Sequence, residues 1–179
     1  MEYCKGVVIT GKNTMAVSDR CPIPEEPCPT GAFIKPLIWS PCTSDAHLCA
    51  TGCDSLPYLL GKAVGHEICG VITKVGSEVH DFKVGDKVIV CAVMPVWRSL
   101  EAQDGLGKQH QDNMYGGVGC RGGRLWMTRM AQLIATGRVA PEQLITHRYH
   151  GMEHIIDAMN LFLNHDRSLS LIKPVLYND

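Results

Sequence analysis

Apolar and polar positions follow two rhythms along this chain. Up to about residue 93 the apolar residues come in short β-branched runs bounded by Gly, Pro, Asn and Asp, the pattern of strands and turns. Residues 4–10 (Cys-Lys-Gly-Val-Val-Ile-Thr) predict a strand, Gly11-Lys12-Asn13 a turn, and residues 14–18 its returning partner. Pro22, Pro24, Pro27 and Pro29 predict an extended connector over residues 20–31, because proline lacks the N–H that a ladder needs. Residues 32–40 predict another strand, with Pro36 placing it at an edge or a bulge. Ser44 and Asp45 suit the first turn of a short helix over residues 43–49, followed by a loop to Gly61. Residues 64–75 predict a central strand pair or one long bent strand. Gly85-Asp86 predicts a hairpin turn into a strand over residues 87–93.

The second rhythm is helical. After a polar stretch without period at residues 95–117, Leu125, Met130, Leu133 and Ile134 recur near helical spacing, and Gly137 stands where a helix would stop. A strand is predicted at residues 144–147. An amphipathic helix over residues 152–163 would carry Ile155, Ile156, Met159, Phe162 and Leu163 on one side. A closing strand covers residues 168–177. The fold class is therefore mainly β with α.

Composition narrows the functional classes. The chain has 179 residues, 45% of them apolar, enough for one domain with a core. Its net charge is −1 and no block of like charge occurs, which argues against nucleic-acid and membrane partners. No apolar run approaches the roughly 20 residues of a membrane span. The N-terminus has no basic segment leading into an apolar one, so no secretory signal is expected and a cytoplasmic location is the default. Nine cysteines without such a signal point to reduced thiols, buried or metal-bound, before disulfides.

The candidate chemistry centres on Gly65-His66-Glu67, at the mouth of an apolar run, and on Pro41-Cys42-Thr43-Ser44-Asp45. A thiolate and an imidazole suit zinc, and a catalytic zinc needs three protein ligands and one open position. Glu67 could be a ligand or a carboxylate behind one. Ser44 and His47 offer a hydroxyl and an imidazole that could pass a proton from a bound alcohol to solvent. The alternative is a buried cysteine and a hydrogen-bonded core histidine. A second candidate cluster is His47, Cys49 and Cys53, although no second cysteine pair follows to complete four ligands. Residues 117–122 match G-x-G-x-x-G literally. The stretch before them is polar, not a buried strand, and too little chain follows for a doubly wound nucleotide fold. They read as a glycine-rich turn.

These motifs together resemble the catalytic, GroES-like domain of zinc-dependent medium-chain alcohol dehydrogenases. The similarity is to the NADP-preferring secondary-alcohol branch. It is carried by Pro41-Cys42-Thr43-Ser44-Asp45-Ala46-His47, Gly65-His66-Glu67, Val75-Gly76-Ser77-Glu78-Val79, Gly85-Asp86-Lys87-Val88 and Pro95-Val96-Trp97-Arg98. Toward the other end it continues in Arg121-Gly122-Gly123-Arg124-Leu125, Leu144-Ile145-Thr146-His147 and Leu171-Ile172-Lys173-Pro174-Val175. The resemblance implies a partly open GroES-like barrel plus a C-terminal α/β segment. It also implies zinc on Cys42 and His66 with Glu67 as the adjacent, sometimes ligating carboxylate. Ser44 would hold the substrate hydroxyl, His47 would relay its proton, and Trp97 and Cys120 would line a pocket for a small secondary alcohol or ketone. Homo-oligomers are expected.

In that family a whole dinucleotide-binding domain lies between the two blocks. Here residues 1–117 resemble the first block and residues 118–179 the last, so the resemblance implies that they are joined across an internal deletion. No complete Rossmann domain is then expected. The NADP site, and the third zinc ligand (an Asp in this branch), would be absent with it.

Overall fold

The computed structural model describes residues 2–52, 57–90, 123–164 and 170–178. The chain divides into two units, Met1–Val90 with Ile145–Asp179, and Cys91–Leu144.

The first unit begins with an antiparallel pair, β1 (Glu2–Gly11) and β2 (Thr14–Ile23). Asn13, at a φ of 55°, turns the chain between them, a left-handed conformation that Asn tolerates better than most residues. Its N–H donates to the Cys49 carbonyl at 3.1 Å. β2 runs further than predicted and takes in Cys21 and Pro22. Among the described residues β2 is laddered to β1 alone, so the N–H missing at Pro22 leaves no second partner unbonded. Val7, Val8 and Ile9 are buried in succession, where a half-buried strand would alternate. The chain at residues 60–64 runs along the other edge of β1. Gly61 N–H donates to the Ile9 carbonyl at 2.8 Å, and Val64 N–H to the Val7 carbonyl at 2.9 Å.

The second sheet has five strands in the order β5-β4-β3-β7-β6. They are β3 (Ala32–Ser40), β4 (Glu67–Val75), β5 (Lys87–Ile89), β6 (Ile145–His150) and β7 (Lys173–Tyr177). All pairings are antiparallel except β6–β7. β3 lies between β4 and β7, with its ladder to β7 at Ile38 and Trp39. Pro36 sits at a bulge, where the register against β4 shifts between Pro36 and Ile38. β4 is a single strand and starts at Glu67. Gly85-Asp86 is not a two-residue hairpin turn, because the connection between the antiparallel neighbours β4 and β5 runs over residues 76–86. The turn instead bonds straight to β4: Gly85 N–H donates to the Ile72 carbonyl and Ile72 N–H to the Asp86 carbonyl, both at 2.9 Å. Residues 91–93 of the predicted strand lie outside the described residues.

Three helices follow the helical signals: α1 (Thr43–His47), α2 (Gly123–Ala135) and α3 (Ile155–Leu163). α2 belongs to the second unit and ends as predicted. Gly137 takes a φ of 69°, its N–H donates to the Ile134 carbonyl, and Arg138 N–H donates to the Leu133 carbonyl. That pair of bonds satisfies carbonyls the helix end would leave open. α3 begins later than expected, because Met152–His154 form a tighter 3-10 turn first. Its buried residues Ile155, Ala158, Met159 and Phe162 keep the spacing of one helix face.

The core of the first unit joins distant parts of the chain: Val7, Ile9, Met15, Trp39, Cys49, Ile155, Met159 and Leu176. The class is thus mainly β with helices, and neither sheet closes on itself. Leu176 is fully buried in this cluster. Leu176→Ala should lower the unfolding free energy by about 3 kcal/mol, the usual cost of a lost side chain plus the cavity left behind. Urea denaturation followed by circular dichroism checks this, and an unchanged midpoint would remove Leu176 from the core.

Candidate metal centre

The end of β3 is held before the site begins. Ser40 is buried, and its Oγ donates to the Pro174 carbonyl at 2.7 Å, while Pro41 is fully buried. The chain then turns into α1 with Cys42 as the residue before the first helical one, in extended conformation. Asp45, one turn in, reaches back: its Oδ2 accepts the Cys42 N–H at 3.2 Å. This satisfies a donor that the helix start would leave open.

The second half of the site arrives from the facing strand. Ser40 pairs with Glu67 across the β3–β4 ladder, so Cys42 and His66 are brought to the same end of the sheet. Gly65 makes the approach possible. It has a φ of 110°, and a Cβ there would stand 2.5 Å from Trp39 Nε1. His66 then lies against α1, with Nδ1 3.4 Å from Asp45 Oδ1 and Nε2 3.3 Å from Ser44 Oγ. Asp45 is only 3% exposed. Burial pushes its carboxyl group up, and the neighbouring His66 pulls it back down. A carboxylate beside Nδ1 favours the proton on that nitrogen and leaves the Nε2 lone pair available.

Cys42, His66 and Glu67 each place one donor atom so that all three lie within 4.8 Å of one another, and all three side chains are half-buried. Among the described residues this is the group of three or more such donors that the fold brings together. Thiolate, imidazole and carboxylate are all zinc ligands, and three of them leave a position open. Glu67 is shared with a cation: its Oε2 accepts a very close hydrogen bond from Lys173 Nζ on β7.

The other predicted residues separate. Ser44 stands beside His66, whereas His47 is exposed at the end of α1. Cys49 is buried, its sulfur 3.5 Å from the carbonyl oxygens of both Gly11 and Thr14, so it does not join His47 in a cluster. Cys53, Trp97, Cys120 and the glycine-rich stretch at residues 117–122 lie outside the described residues. Asp45 and Lys173 stand in quoted motifs, but sequence reasoning gave neither a role at the site. Asp45 carried a faint signal, an acidic residue in a first helical turn. Lys173 carried none, because its partner is far away in sequence.

The alcohol dehydrogenase GroES-like domain model matches residues 29–143. The chain belongs to that family. It is 48% identical over 86 residues to the NADP-dependent isopropanol dehydrogenase of Clostridium beijerinckii, covering 48% of this chain and 24% of that protein. It is 43% identical over 91 residues to the enzyme of the same name from Thermoanaerobacter brockii, covering 51% of this chain and 25% of that protein. The chain thus spans about a quarter of the length of these relatives. The fold also resembles a crystal structure of an Escherichia coli oxidoreductase/dehydrogenase of unknown specificity. The TM-score is 0.76 at 13% identity, over 98% of this chain and 99% of that one. The resemblance read from the motifs and the relatives point to the same zinc alcohol dehydrogenase family.

Gly65→Ala forces an unfavourable φ and a clash with Trp39 together. It should cost about 2 kcal/mol or more of stability. Thermal denaturation of the variant checks this, and wild-type stability would show that the turn can relax.

Proposed function

We propose that this chain is the zinc-binding catalytic portion of an NADP-dependent secondary-alcohol dehydrogenase, with Cys42, His66 and Glu67 holding the metal. The convergence of those three donors within 4.8 Å carries the reading, and the isopropanol dehydrogenase relatives give it a substrate class. Zinc bound there would supply a Lewis acid that makes an alcohol oxygen easier to deprotonate. The chain's own residues do the rest. Asp45 holds the His66 ring from Nδ1. Ser44 would bond the substrate hydroxyl, and His47, exposed at the end of the same short helix, would carry the proton away. Trp97 and Cys120 would shape the pocket for a small secondary alcohol or ketone.

In this reading residues 1–117 and 118–179 are two segments of one catalytic domain, meeting where the family carries its nucleotide domain. NADP would then be bound by protein outside this chain. The location is cytoplasmic, consistent with many thiols; among the described residues no helix is long and apolar enough to cross a membrane. Met130 and Ile134 on α2 are 44% and 43% exposed, which supports a homo-oligomer that covers them. No nucleic-acid partner is expected from a net charge of −1.

A second reading is a zinc-binding or oligomerising module without catalysis, favoured by the small share of the relatives that the chain spans. Two measurements bear on these readings. After dialysis against zinc, the purified chain should retain metal weakly and below one equivalent, and Cys42→Ala should lose it. Tight zinc that survives the substitution would move the site elsewhere. The chain alone should show negligible isopropanol oxidation by NADPH absorbance, and clear turnover would mean that it holds a cofactor site of its own.

A further inference from the structure

The outer end of the β1–β2 hairpin places two thiols opposite each other. Cys4 on β1 and Cys21 on β2 are direct Cα partners in the antiparallel register. Directly opposed residues in such a ladder have Cα atoms about 4.5–5.5 Å apart, within the range of roughly 4.4–6.8 Å that a disulfide spans. Their side chains also leave the same face of the ribbon, as opposed residues do. Gly6 provides the room. A Cβ at Gly6 would stand 2.8 Å from Cys21 Sγ, so this sulfur lies over the bare glycine two residues along β1 from Cys4. Both cysteines are thiols in the structure, Cys4 exposed and Cys21 half-buried.

We propose that Cys4 and Cys21 form a reversible disulfide when an oxidised low-molecular-weight thiol, such as oxidised glutathione, accumulates. The roles of the two sulfurs follow from their surroundings. Cys4 is the sulfur that solvent can reach. Burial pushes the Cys21 thiol up and nearby Cys4 pushes it further, against a hydrogen bond with Ser18, so Cys21 is the slower nucleophile. The Cys4 thiolate attacks the glutathione disulfide, forming a mixed disulfide and releasing one glutathione. Cys21 gives up its proton to water and attacks the Cys4 sulfur, and the second glutathione leaves with the electron pair. The two protein thiols are oxidised and one glutathione disulfide is reduced to two thiols.

Closure would pin the end of the hairpin where residues 2–5 are all exposed, and would lock the bulge between Cys4 and Gly6. It leaves untouched the part of β1 that packs on the core.

The test is disulfide mapping on the full chain. The reduced protein is incubated with oxidised glutathione and remaining thiols are alkylated. Digestion with trypsin and a Glu-specific protease separates Cys21 from Cys28. The main linked species should join the Cys4 peptide to residues 21–25, lighter by two hydrogens than its reduced parts. It should vanish on adding dithiothreitol and be missing from both Cys4→Ser and Cys21→Ser, with wild-type circular dichroism showing that both variants fold. The proposal is overturned if Cys21 links mainly to another cysteine. It is equally overturned if Cys4 and Cys21 remain thiols or glutathione adducts while the wild-type protein is folded.

Discussion

The register between β3 and β4 is the constraint on which the candidate centre depends. It sets Ser40 opposite Glu67, so the residues just beyond each strand end, Cys42 and His66, meet at one corner of the sheet. A slip of one residue would turn every β4 side chain to the other face and remove Glu67 from the site. Two features hold the register. Trp39, buried in the core, packs over Gly65. Ser40 ties β3 to β7 through the Pro174 carbonyl, which also sets Lys173 next to Glu67.

Charge at this corner is balanced before any metal is considered. Asp45 is almost fully buried, where an unpaired carboxylate would be costly, and it answers with the Cys42 N–H and the His66 ring. Glu67 is half-exposed and answers with Lys173. A cation bound at Glu67 would compete with the lysine for the same carboxylate. The protein thus keeps a charged donor set ordered through internal partners: Cys42 just before α1, His66 just before β4, and Lys173 on β7.

Much of the fold was legible locally. The Asn13 turn, the β3 span, the Gly137 helix stop and the buried face of α3 all rest on properties of neighbouring residues: backbone freedom, a missing donor, or a repeat of apolar positions. What local pattern left open or missed was set by chain that is distant in sequence. Pro36 reads as an edge or a bulge, and only the shifted register against β4 decides for the bulge. Gly85-Asp86 carries a hairpin signal, yet it closes a long connection from β4, and its backbone groups go back to that strand. The consecutive burial of Val7, Val8 and Ile9 does not follow from the alternation expected of their own segment.

The sequence alone determined the family and the types of donor on offer, since Cys42, Ser44, His47 and Gly65-His66-Glu67 lie in contiguous motifs that can be read without knowing any distance. It also determined the mainly β class, because strand and helix rhythms are local. Only the tertiary structure decided that Cys42, His66 and Glu67 converge while Cys49 is drawn into the core, and that Asp45 and Lys173 are the groups that hold the site. Those outcomes depend on which strand lies beside which, a choice made by burial of a core assembled from β1, β3, α3 and β7, and no single stretch of the chain records it.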